Sequence, residues 1–184
     1  MKNKLLIAVM MIASLVRADI IEITKMNQAL KDLTKDTLVV FDLDNTVVEP
    51  VQTLGTVQWV DAVEAGLVAS GMPKEKANDI AAGRWVKVQL KTENRLVENE
   101  TRSLIHGLQS KGIRVLALTA RPVAVEAQTK KMLAGLNVQF QKSWPAGTQF
   151  NSPFPGASYQ DGVVFVGQKN SKGAVLREFM KQNN

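Results

Sequence analysis

The feature that most constrains this chain is the run Val39-Val40-Phe41-Asp42-Leu43-Asp44-Asn45-Thr46-Val47-Val48. An apolar, β-branched segment ends in two aspartates one residue apart. Such a run reads as a strand buried on both faces, as in a parallel sheet. In open α/β sheets ligands bind beyond the carboxyl ends of the strands, so both carboxylates are delivered to where a site forms. The i, i+2 spacing lets Asp42 and Asp44 point to one side as the chain leaves the strand. Two like charges so close call for a cation or a proton between them. An oxygen donor pair suits Mg²⁺. The plain alternative is a strand followed by a polar turn, because Asp and Asn are ordinary turn residues.

The rest of the chain alternates helical and strand patterns. Residues 22–34 carry Ile23, Met26, Ala29, Leu30 and Leu33, which predicts a short amphipathic helix. Glu49-Pro50 interrupts regular structure. Trp59, Val60, Val63, Leu67 and Val68 predict a helix over 57–70, stopped by Gly71-Met72-Pro73. Pro73 then opens a second helix. A third helical run is read from Glu93 to Ser110 and closed by Gly112. Ile113 to Thr119 is a second clear strand, and Pro122 starts a helix to about Leu133. Val138-Gln139-Phe140 is a candidate strand, residues 143–160 read as a loop, and Asp161 to Gly167 is another strand. A final helix runs from Lys172 to Lys181. This alternation predicts an α/β sheet. The stretch of about 50–95 is longer than a simple crossover needs, and reads as a small helical cap over the strand ends.

The N-terminus looks like a targeting segment. Lys2 and Lys4 precede an apolar run from Leu5 to Val16, and Val16-Arg17-Ala18 offers a cleavage site. The expectation is a signal peptide over 1–18 and a mature domain over 19–184, exported to the periplasm or secreted. The run is too short for a comfortable membrane span, which takes about 20 residues. Removing it deletes three cations and no acid, so the formal charge falls from +6 to +3. The basic balance is therefore partly a targeting feature, and no nucleic-acid partner is expected. With no cysteine in the chain, a disulfide framework is excluded.

Three motifs fall in a telling order: Asp42-x-Asp44-x-Thr46, the strand end Leu118-Thr119, and Lys172 in Asn170-Ser171-Lys172-Gly173. Together they resemble the haloacid dehalogenase-like (HAD) superfamily, mostly phosphatases, over about residues 36–180. The resemblance implies a Rossmann-like three-layer core, a mainly parallel sheet, and a cap inserted after the first core strand. It implies cleavage of small phosphomonoesters through an aspartyl-phosphate, with Mg²⁺ as cofactor. Asp42 would be the nucleophile, and Asp44 would protonate the leaving oxygen and then activate water. Lys172 would neutralise phosphate charge and orient Asp42, and is preferred to Lys169 because glycine follows it. Thr119, Ala120 and Arg121 would meet the substrate. The Asp42 carboxylate and the Asp44 carbonyl would ligate the metal, and Thr46 would shape the turn. His106, Trp59, Trp85 and Trp144 read as structural.

The sequence departs from that pattern in one respect. The family's fourth motif, a strand ending in acids beyond the lysine helix, is not found, since only Glu178 comes after Lys172. Asp161 precedes its strand and belongs at the opposite edge. The departure implies a second reading: a truncated, catalytically inactive relative with a binding role or none. The missing strand would also leave the Asp42 strand as an unpaired edge, open to self-association.

Overall fold

The computed structural model describes residues 22–167 and 169–183. The expected signal peptide, residues 1–18, lies outside the described residues. The described chain adopts an α/β fold with a mainly parallel, Rossmann-like central sheet. Its strands are β1 (Leu38–Phe41), β4 (Arg114–Thr119), β5 (Ser158–Gln160) and β6 (Val163–Phe165), in the order β1-β4-β6-β5. β1, β4 and β6 are parallel, and β5 is antiparallel to β6. A separate antiparallel hairpin joins β2 (Val48–Pro50) to β3 (Asn94–Leu96).

Burial explains why these apolar runs form strands. Alternate residues of β1, β4 and β6 fill one core with Val39, Phe41, Val115, Ala117, Val163 and Phe165. Ile105 and Leu108 of α3 (Thr101–Ser110) and Leu133 of α4 (Glu126–Gly135) close that core. The opposite face carries Leu116, Leu118 and Val164, covered by Val175 and Phe179 of α5 (Lys172–Asn183). Helices thus flank the sheet on both sides, giving three layers. β1 is the terminal strand among the described residues, and Val40 on its α5-side face is 37% exposed. A strand hydrogen-bonded on one side only cannot bury both faces as β4 does.

Between β2 and β3 the chain makes two helices, α1 (Val57–Ala69) and α2 (Lys74–Gln89). Thr56 caps α1 by accepting from Trp59 N at 3.2 Å. Gly71, at φ +92°, ends it. The hairpin ties the base of this insert: Val51 N donates to Glu93 O at 2.9 Å and Arg95 pairs with Glu49 at 2.8 Å.

Several expectations are corrected. Residues 22–34 form only a 3₁₀ turn, Met26–Ala29, because so short a helix is marginal alone and Asp32 takes φ +54°. The run from Glu93 to Ser110 splits into β3 and α3, since pairing with β2 outcompetes helical extension at Asn94–Leu96. Val138 and Phe140 are buried, but they pack as side chains without joining the sheet. The loop read over 143–160 ends in β5, whose turn to β6 needs Gly162. A Cβ there would sit 2.4 Å from the Phe140 carbonyl carbon.

Candidate functional site at the strand ends

The parallel register places Phe41 opposite Ala117, so Asp42 leaves β1 beside the last residues of β4, which ends at Thr119. The chain then turns tightly. Leu43 O accepts from Thr46, Val47 and Val48 N, and Asn45 adopts φ +58°. Thr46 is thus part of the turn through its backbone N–H. Leu43, Val47 and Val48 are fully buried beneath it, which fixes where the two carboxylates emerge.

Asp42 and Asp44 meet different partners. Asp42 Oδ1 accepts from Leu43 N at 2.9 Å and lies 2.7 Å from Lys172 Nζ. Both side chains are partly open, 44% and 39% exposed. Lys172 is the first residue of α5, so the start of that helix brings its ammonium to the end of β1. Lys169 goes elsewhere, reaching Asp79 of α2 at 3.9 Å.

Asp44 is gripped by Arg121. Arg121 Nε donates to Asp44 Oδ2 at 3.0 Å and Nη2 to Oδ1 at 2.8 Å. This is a bidentate fork, the strongest form of such a pair. Arg121 Nη1 donates to Thr129 Oγ1 at 3.1 Å, and Nη2 also reaches Gln89 Oε1 at 3.4 Å. The guanidinium lies 5.5 Å from the Trp85 ring centre. Arg121 is 2% exposed, so it is not a surface residue. Its hydrogen bonds run to protein groups, and it also lines the cavity beside Asp44. Trp85 and Gln89 of α2 both donate to Gly55 O at 3.0 Å, which connects the cap to this buried cation.

Thr119 is fully buried, and its Oγ1 accepts from Arg121 N at 3.1 Å. That leaves the hydroxyl proton to donate. Ala120 and Arg121 line a cavity of about 330 Å³ between the strand ends and the cap, together with Asp44 and Asn45. A larger cleft of about 650 Å³ lies beside Trp144 and β5, and neither Asp42, Asp44, Thr119 nor Lys172 lines it. Trp144 is core, donating to Val115 O at 2.8 Å. Trp85, by contrast, belongs to the site's wall. Asp161 sits at the β5–β6 turn, where Lys130 pairs with it at 2.7 Å.

Sequence reasoning missed Gln89 and Thr129 as partners of Arg121. Nothing in their spacing marks them; only burial shows that a polar residue on those helices must have a partner.

Among the described residues, no group of three His, Cys, Asp or Glu side chains converges to hold a metal. Mg²⁺ is often held by one or two carboxylates, with waters and phosphate oxygens completing its shell. Asp42 fits such a role: among the described residues, Leu43 N and Lys172 Nζ both approach Oδ1, which leaves Oδ2 to a cation.

Several relatives match most of the chain. A Chlamydia pneumoniae protein named "Putative outer membrane protein" is 28% identical over 163 residues, covering 84% of this chain and 59% of its own. A Chlamydia trachomatis serovar D protein of the same name is 26% identical over 142 residues, 77% of this chain and 53% of its own. The chain thus spans a little over half the length of these relatives. No solved structure matches. Among the described residues no helix is long and apolar enough to cross a membrane. The family model that matches covers residues 19–184, and the chain belongs to that family, described as "Protein of unknown function (DUF2608)".

Proposed function

We propose that this chain is an exported, Mg²⁺-assisted phosphohydrolase that cleaves small phosphomonoesters through a phosphoryl group carried on Asp42. The observation that carries the reading is the 2.7 Å contact between Lys172 Nζ and Asp42 Oδ1 at the carboxyl end of a parallel strand. Chain segments 130 residues apart in sequence meet there, at the carboxyl ends of the strands where ligands bind in open α/β sheets.

In the first half-reaction an Asp42 oxygen forms a bond to phosphorus as the bond to the leaving oxygen breaks. A proton carried by Asp44 passes to the leaving oxygen as that bond breaks. In the second half, Asp44 takes a proton from water, whose oxygen attacks phosphorus and releases phosphate from Asp42. The net change is ester plus water to alcohol plus phosphate. Lys172 offsets the charge on the phosphoryl oxygens and holds Asp42 in line. Thr119 offers its hydroxyl proton and a neighbouring backbone N–H to the same group. Arg121 fixes the direction of the Asp44 carboxylate. Bound through Asp42 and the Asp44 carbonyl, Mg²⁺ would supply further neutralisation of phosphoryl charge.

The export part of the reading is supported by the basic-apolar segment over 1–18 and by the relatives' outer-membrane name. A periplasmic location is the finer proposal. The terminal position of β1 among the described residues supports self-association through that edge.

A phosphate-binding relative without turnover is the second reading. It is favoured by the grip of Arg121 on both Asp44 oxygens, which leaves that group less available for proton transfer. The assay that separates them uses the purified chain with a generic aryl phosphate. Turnover that disappears with a metal chelator and with Asp42→Asn supports the enzyme. Phosphate binding with no turnover at any Mg²⁺ concentration supports the second reading.

A further inference from the structure

The cavity beside Asp44 has a chemical character that the motif residues do not dictate. It measures about 330 Å³, at the lower end of the range for small-molecule sites. Its walls include Pro50, Val57, Val60, Ala82, Trp85 and Pro122, from β2, the two cap helices and the turn after β4.

The polar groups that also line it are mostly engaged already. Thr56 Oγ1 donates to Thr53 O at 2.8 Å and accepts from Trp59 N. Asn78 Nδ2 donates to Glu64 Oε2 at 2.9 Å. The Trp85 indole N–H goes to Gly55 O. Arg121 is the single cation among the lining residues, and its Nε, Nη1 and Nη2 already donate to Asp44, Thr129 and Gln89. A ligand carrying its own carboxylate or second phosphate would find each nitrogen of that guanidinium already donating to a protein acceptor. A polyol would lose water without gaining equivalent hydrogen bonds, a desolvation cost that is not recovered. An apolar group would replace poorly used water against hydrocarbon walls.

Resting on the phosphohydrolase reading, we infer that this cavity receives the leaving group, and that the preferred substrates are phosphomonoesters of uncharged, apolar alcohols. The cavity is bounded by Asp44, the residue that would protonate the leaving oxygen, and by Ala120, next to Thr119. A phosphoryl group near Asp42 would therefore project its ester substituent into it.

The test compares benzyl phosphate, glycerol 3-phosphate and 3-phosphoglycerate, whose leaving alcohols are of similar type, so that intrinsic leaving-group reactivity does not decide the outcome. Binding is measured by calorimetry with the full chain carrying Asp42→Asn, and kcat/KM with the unaltered chain. Benzyl phosphate is expected to bind at least about tenfold more tightly than either competitor, in line with burial of several methylene equivalents. Val60→Lys, which puts a free cation on the wall, is expected to reverse the order toward 3-phosphoglycerate. Val60→Thr, nearly the same shape, is expected to reduce the benzyl preference and serves if the lysine variant does not fold. Equal affinities, or tighter binding of an anionic or polyol ester by the Asp42→Asn chain, would overturn the inference even if the unaltered chain turns over all three esters. Benzyl preference in binding with no turnover of any ester by the unaltered chain would uphold the cavity's assignment and overturn the hydrolytic reading instead.

Discussion

Asp42 and Asp44 leave one strand two residues apart, yet they are held in opposite ways. Asp42 meets a lysine that is 39% exposed, through one oxygen, at the mouth of the site. Asp44 meets an arginine whose side chain is 1% exposed, through both oxygens, with Thr129, Gln89 and Trp85 behind it. An exposed lysine pair is worth about 0–1 kcal/mol, since water screens it and the side chains must be ordered. A buried charge left without its partner costs about 3–5 kcal/mol. The same residue type therefore does two jobs. In the proposed reaction Asp42 can change its bonding because little of the fold depends on its partner, whereas Asp44 is held in one direction because much of the fold does.

That contrast can be broken by experiment. Asp42→Asn should lower turnover by about 10⁴-fold or more, as loss of a nucleophile does. Urea unfolding of the same variant should show stability unchanged within about 1 kcal/mol. A large loss of stability would show that Asp42 is a structural residue after all. Lys172→Met should cost about 10²–10³-fold in kcat, the scale of one preorganised electrostatic contact, again with little effect on unfolding. Asp44→Ala should reverse the pattern by destabilising the chain about 3 kcal/mol, the lower end of the buried-pair range because Asp44 is itself 29% exposed. Combining it with Arg121→Met should recover at least about 1 kcal/mol of that loss, a coupling that unfolding of the four proteins measures directly. Additive losses would dissolve the claim that the two side chains act as one unit.

Salt sharpens the same comparison. Raising ionic strength to 1 M, where screening acts over about 3 Å, should erase any stability difference caused by Lys172→Met and leave most of that caused by Asp44→Ala.

The smallest effect lies away from both pairs. Burial pushes the Tyr159 phenol above its ordinary value, and the nearby Asp161 charge adds to this. The protonated phenol is thus the favoured form in the folded chain. Its contribution is full below the unfolded value of about 10 and is lost as pH rises through the folded one. Tyr159→Phe should flatten the alkaline arm of a stability–pH profile and leave neutral pH unaltered.

Much of this arrangement was legible in the residues alone. The apolar run at 38–41 and the adjoining aspartates announce a strand end with two carboxylates, and Lys172 belongs where its helix begins. These signals are local, which is why they survive without a structure. Arg121 was legible as a residue near the site, but its role was not. Its partners come from α2, α4 and the turn after β1, and no periodicity records that three distant segments meet around one guanidinium. The β2–β3 hairpin was hidden for another reason. Asn94–Leu96 is only three residues long and runs into a helical pattern, so its strand character comes from pairing across 46 residues, as between Glu49 and Arg95.

That hairpin has a consequence for how such a chain can diversify. Because Val51 and Glu93 are held within one hydrogen bond of each other, everything between them enters and leaves the core through a single narrow gate. Any polypeptide whose two ends come equally close could be grafted there without disturbing the sheet. Replacing residues 52–92 would alter what fits over the aspartates, and it would keep Arg121 in place only if the new segment supplied groups like Trp85 and Gln89 against it.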